Sequence, residues 1–244
     1  MAANEKRYQR KGISLKVLGW FTSIFVLTIS TALMVSLILI YHQNNVVNEA
    51  ENNYIILKES SNNVQSASDY LTAEARLFVA NADKKYMDNY FEEVNVKKRR
   101  EKALENIHNI AEKTSRHEEI HNYIHSAVEE SMSLMDLEFY AMKLICVDQN
   151  IPFAEYQELV NIDVEAVDPA DRKYEAFNAV LGNEYAYHKE RINHNISLAI
   201  EIIDNLINNN QKEASRNLRS LIVFQSIVIG INIVFVIVAI LLYY

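Results

Sequence analysis

The stretch VNEAENNYIILKESSNNVQSASDYLTAEARLF, residues 47–78, decides how the chain is read. Its apolar or small residues fall at Val47, Ala50, Tyr54, Leu57, Ser61, Val64, Ser68, Leu71, Ala75 and Phe78. Steps of three and four repeat throughout, which predicts one long helix with a coiled-coil seam. Few members of that seam are large. A seam of Ala and Ser buries less apolar area than one of Leu and Ile, which suits a helix that shifts. Only Tyr41 to Asn45 separate this pattern from an uncharged segment before it.

That segment, Val17 to Tyr41, holds 25 residues without a charge, and Leu221 to Tyr244 holds 24 more. At about 1.5 Å per residue, each exceeds the roughly 30 Å hydrocarbon core of a bilayer. The first is too long for the apolar core of a signal peptide. Ile40-Tyr41-His42-Gln43 also offers no small-residue cleavage pattern, so a retained anchor is expected. Lys6, Arg7, Arg10, Lys11 and Lys16 precede it against one acid, Glu5, which places this end in the cytoplasm. The expected organisation is a cytoplasmic basic tail at 1–16 and spans at 17–41 and 221–244. An extracytoplasmic domain fills 42–220, and both termini lie in the cytoplasm of a bacterial cell membrane.

Residues 42–220 carry 19 basic and 31 acidic side chains, a net charge of −12. This balance excludes a nucleic-acid surface and docking on anionic lipid. One cysteine, Cys146, excludes an internal disulfide and reads as a packed core residue. Four Gly and two Pro in 244 residues predict an all-α fold.

Four long helices follow from the periodicity. The first runs over about 42–80. Asp83 caps a second over 84–113, with Tyr86, Tyr90, Phe91, Val94, Leu104, Ile107 and Ala111 inward. Ser115 with Glu118 fits a capping box for a third over 116–148. The third seam reads Ile120, Ile124, Ala127, Ser131, Leu134, Glu138, Ala141, Ile145. A short helix is expected after Pro152 and another after Asp168-Pro169, ended by Gly182. The fourth starts near Asn183, carries Tyr185, His188, Ile192, Ile196, Ala199, Ile203 and Leu206, and continues into the second span. Short first and second turns make this an up-down-up-down four-helix bundle. The long 149–183 connection marks a functional region.

Three constellations carry chemistry. His117-Glu118-Glu119-Ile120-His121 matches H-E-x-x-H, the zinc hydrolase motif, and His125 extends its stripe. Its place at a charged helix start, without a cleft or an α/β scaffold, favours a solvated face, so these histidines are weak metal candidates. The run Lys97-Lys98-Arg99-Arg100 lies among Glu92, Glu93 and Glu101 and reads as a solvated, salt-bridged face. The third is polar residues at inward positions. Counting from the helix ends brings Asp69, Arg76, Tyr86, Tyr90, Glu138, Tyr140, Lys143, Tyr185 and His188 into one half of the bundle. Buried charge is costly unless paired. Such a group is either an internal network that fixes register or a site for a small polar ligand, with Arg76 offering a fork to a carboxylate.

The runs Ser68-Asp69-Tyr70-Leu71-Thr72, Ala75-Arg76-Leu77-Phe78-Val79, Asp83 to Val94 and Lys98 to Leu104 carry a resemblance. Leu137-Glu138, Ala141 to Leu144 and Gly182 to Tyr185, with Lys189 and Ile192, extend it. Together they resemble the N-terminal transmembrane sensor region of bacterial signalling proteins with diguanylate cyclase (GGDEF) or histidine kinase output domains. In plan the chain is similar to the four-helix-bundle sensors of chemotaxis receptors. The resemblance implies a homodimer and signalling across the membrane, while the small polar extracellular ligand is expected from the inward polar residues. It supplies no ligand, and no cofactor is expected. The departure is at Tyr243-Tyr244, where such proteins continue into an output domain. The sequence holds no P-loop, GGDEF motif or phosphoacceptor region, so the expectation is an input module, excerpted from a longer protein, rather than an enzyme. The runner-up is a two-span coiled-coil scaffold.

Overall fold

The computed structural model describes residues 15–243, so residues 1–14 of the basic tail, and Tyr244, lie outside the described residues. Every regular element among them is helical: α1 (Leu15–Asn81), α2 (Lys84–Glu92), a π-helical turn (Glu93–Lys97), α3 (Arg99–Ala111), α4 (His117–Asp148), α5 (Gln157–Val160), α6 (Arg172–Leu181) and α7 (Asn183–Tyr243). Two of these helices, α1 and α7, are long and apolar enough to cross a membrane.

By its contacts the chain falls into two compact units. One holds the residues up to Glu49 and from Gln211 onward. There Trp20, Phe21, Leu27 and Met34 on α1, and Phe224, Ile227 and Val234 on α7, point outward. Such surfaces suit a hydrocarbon solvent. The Phe25 and Phe235 rings meet at 3.9 Å between centroids, joining the two helices within this unit.

The other unit, Ala50–Asn210, has a continuous apolar core. The α1 seam enters it as read. Leu57, Val64, Ser68, Leu71, Ala75 and Phe78 are buried, and Ala50, Tyr54 and Ser61 are half-buried. All eight seam residues of α4 are buried, including Glu138. Cys146 is 1 % exposed with Sγ 3.6 Å from Met87 Sδ, and burial pushes its thiol up to about 12, so it remains a thiol in the core.

Three local readings are corrected. The helix predicted over 84–113 is broken, because the chain runs through a π-turn and takes a left-handed φ of 50° at Lys98. The break turns the Glu93 carboxylate inward to 2 % exposure, where it accepts from the Arg99 backbone N–H at 3.3 Å and pairs with the Arg99 guanidinium. A carboxylate at the first turn of α3 meets the positive end of the helix dipole. The Ser115 capping box does not form: Arg116 is the N-cap of α4 and makes no side-chain cap bond. Asp168 closes its own turn by accepting from Ala170 N, and α6 starts later, at Arg172. The Asp83 cap forms as predicted, its carboxylate accepting from Lys85 N.

Gly182 joins α6 to α7 with one residue. A Cβ there would sit 2.4 Å from the Asn178 carbonyl oxygen, so any other residue would force the junction apart.

Candidate functional site

The predicted convergence of polar groups centres on Glu138, and four helices contribute to it. Glu138 of α4 is 2 % exposed. Tyr90 of α2 donates to its Oε2 at 2.6 Å, and Tyr185 of α7 donates to its Oε1 at 2.5 Å. Tyr185 Oη also lies 2.9 Å from Thr72 Oγ1 of α1. Lys189, one turn along α7, donates to Thr72 Oγ1 at 3.1 Å and to Asp69 Oδ1 at 2.9 Å.

A phenol has one proton to give. The single Tyr185 proton is shared between Glu138 and Thr72, the Thr72 hydroxyl donates to the Ser68 carbonyl at 2.9 Å, and Lys189 donates to Thr72. Both phenols thus donate toward the buried carboxylate, and Thr72 links Tyr185 to the surface pair of Lys189 and Asp69. Burial pushes the Glu138 carboxyl up, while the two phenols and the Arg100 and Lys189 charges pull against that shift. Burial and the adjacent carboxylate push both tyrosines up. Tyr90 and Tyr185 are 0 % and 1 % exposed, so the network is closed by its own side chains.

The other predicted residues separate around this centre. Arg76 is half-buried, with its guanidinium 5.0 Å from the centre of the Tyr185 ring and its Nε donating to the Val180 carbonyl of α6 at 2.9 Å. It thus ties α1 to α6 instead of presenting its whole fork to a ligand. His188 Nδ1 sits 2.7 Å from Glu130 of α4, which also accepts from Arg191. Tyr86 and Tyr140 are half-buried against the apolar core.

Lys143 belongs to a different place. It is 7 % exposed, donates to the Leu159 carbonyl at 2.9 Å and stands 3.7 Å from the centre of the Phe153 ring. Beside it opens a cavity of about 470 Å³ between α4, the 149–171 connection and α6. Arg172, the first residue of α6, also lines it, and its buried Nε has no hydrogen-bond partner.

Sequence reasoning missed Arg100, Lys189, Phe153 and Arg172. Arg100 leaves the solvated face assigned to its run: its side chain is 12 % exposed, with Nη1 on Ser131 Oγ at 2.6 Å. Lys189 could have been found, since it lies four residues from Tyr185 on one helix face. Arg172 carried no pattern.

The histidine stripe is exposed. His121 stands between His108 and His125, with ring centroids 5.5 and 6.1 Å away, and His125 faces Glu129. No group of three His, Cys, Asp or Glu side chains among the described residues is placed to hold a metal ion.

No protein family, curated protein or solved structure matches the chain.

Proposed function

We propose that the chain is the extracytoplasmic ligand-sensing and transmembrane signalling input module of a bacterial receptor. In this reading, residues 42–220 form an up-down-up-down four-helix bundle between two spans, two copies associate as a homodimer, and both termini are cytoplasmic. A cytoplasmic output domain would receive the signal.

The observation that carries the reading is the position of α6. One end of this helix, Arg172, lines the cavity beside Lys143. Its other end passes through Gly182 directly into α7. Near that end, Arg76 of α1 holds the Val180 carbonyl. A ligand that draws α6 toward α4 therefore acts on both helices that carry span-length apolar segments. The shift required is small, on the order of 1–2 Å in helices that switch at interfaces. The ligand must bind the two arrangements with different affinity, or nothing passes on.

Thermal unfolding of the full chain in lipid nanodiscs, against a panel of amino acids, organic acids, amines, sugars and nucleotides, tests this. A ligand at about 100 times its Kd stabilises by about 2.7 kcal/mol. For a domain of this size that raises Tm by roughly 5–10 °C. At least one compound is expected to do so, and a flat response across the panel contradicts the reading.

The second reading, a scaffold that senses nothing soluble, is favoured by the closed pairing of Glu138 with Tyr90 and Tyr185. That core fixes register whether or not a ligand exists. A flat panel response would leave the scaffold in place.

A further inference from the structure

The cavity beside Lys143 has a definite charge pattern. Lys143 and Arg172 line it, and neither forms an ion pair among the described residues. An ammonium has three protons to donate, and Lys143 spends one on the Leu159 carbonyl. The Phe153 ring stabilises a cation but accepts none of the remaining protons. At 7 % exposure and with no carboxylate beside it, the Lys143 side chain has donor capacity left for a ligand anion. Arg172 adds a guanidinium whose buried Nε lacks an acceptor.

Two acids, Asp163 and Glu165, line the same cavity and are exposed. Asp163 Oδ1 accepts from the Glu165 backbone N–H at 2.9 Å, which fixes the loop that carries both. The four side chains sum to zero. Inorganic phosphate would satisfy the two cations and meet the two carboxylates as like charge. An amine would do the reverse. A zwitterion gives all four an opposite partner. Val147, Val160 and Ile162 supply an apolar wall, and about 470 Å³ lies within the usual range of small-molecule sites.

We infer that this cavity binds a free α-amino acid, its carboxylate held by Lys143 and Arg172 and its ammonium by Asp163 and Glu165. The inference rests on the sensory reading above and names the class of ligand that reading leaves open.

The test is calorimetric titration of the full chain in nanodiscs with each of the twenty common L-amino acids. For any that binds, the matched carboxylate without the amino group and the matched amine without the carboxylate are titrated, with inorganic phosphate as a further probe. At least one amino acid is expected to bind. Loss of either charged group, and either Arg172→Gln or Lys143→Met, is expected to weaken binding at least tenfold. Arg172 is only half-buried at a helix start, so its variant keeps the test open where Lys143→Met disturbs α5. Far-ultraviolet circular dichroism checks that both variants keep their helices.

Equal binding of the deaminated acid or of phosphate overturns the assignment, as does full affinity in a folded Arg172→Gln variant. Silence from all amino acids, with a sugar or nucleotide active in the wider panel, overturns the ligand class while sensing stands. Silence from both panels removes both claims.

Discussion

The double variant Tyr90→Phe, Tyr185→Phe is expected to lose about 3–6 kcal/mol of stability near neutral pH. The two phenols are the donors that reach the Glu138 carboxylate. A hydrogen bond to a charged group contributes about 1.5–3 kcal/mol, and here neither is replaced by water, because the site is closed. The loss depends on pH. The Glu138 carboxyl is raised by burial, so its protonated form is the one the folded state favours. Its contribution is fully present below the unfolded carboxyl pKa and is lost as pH rises through the folded one. Removing the phenols raises that folded pKa further. The deficit of the double variant is therefore larger at about pH 8 than at about pH 3, on either side of the ordinary range. Glu138→Gln, which resembles the protonated acid, should lose less Tm between those two values than the wild type. Thermal unfolding followed by circular dichroism measures all three. A deficit of the same size at both pH values would show that the carboxyl does not titrate in place.

Phe78→Ala is expected to cost about 3–5 kcal/mol, the usual range for emptying a fully buried aromatic site. Phe78 is 0 % exposed in the apolar core. Much of the buried face of α1 is built from small residues: Ser60, Ala67, Ser68 and Ala75. The grip of α1 on that core falls to a few large side chains, Leu57, Leu71 and Phe78. Ala75 and Val79 are too small to fill the space left. The expected result is a fall in Tm of roughly 10 °C, at about 2–4 °C per kcal/mol. A fall of only one or two degrees would mean that the cavity collapses and that α1 is not anchored at this end.

The helices were legible because a seam repeats. The α1 and α4 stripes state their inward faces over many turns, and one seam position occupied by Glu138 announces a buried charge that needs partners. Tyr90 and Tyr185 read only as walls of that half of the bundle, and the count sets Tyr90 level with Arg76 rather than with Glu138, to which both phenols donate. The break at Lys98 was not legible, since no Gly or Pro marks it, and the Glu93 carboxylate that it turns inward finds its partner, Arg99, only across the break. The cavity was not legible for the same kind of reason. Lys143 counts level with Arg76 and His188 by its height on α4, in the same half of the bundle as Glu138, but its side chain donates to the Leu159 carbonyl, in a connection without periodicity. Arg172 opens a ten-residue helix after a turn and reads locally as a solvated charge.

In the proposed signalling step, a ligand bound outside the membrane moves α7 against α1. Spin labels on His42→Cys and Ser215→Cys report it, both positions being exposed and in the unit that holds the apolar segments. The native Cys146 is buried and held as a thiol, so it takes no label. Double electron–electron resonance is measured in nanodiscs with and without the compound that raises Tm most. A change in the label separation on the order of 1–2 Å is expected on saturation. An unchanged separation with the compound bound would contradict that step.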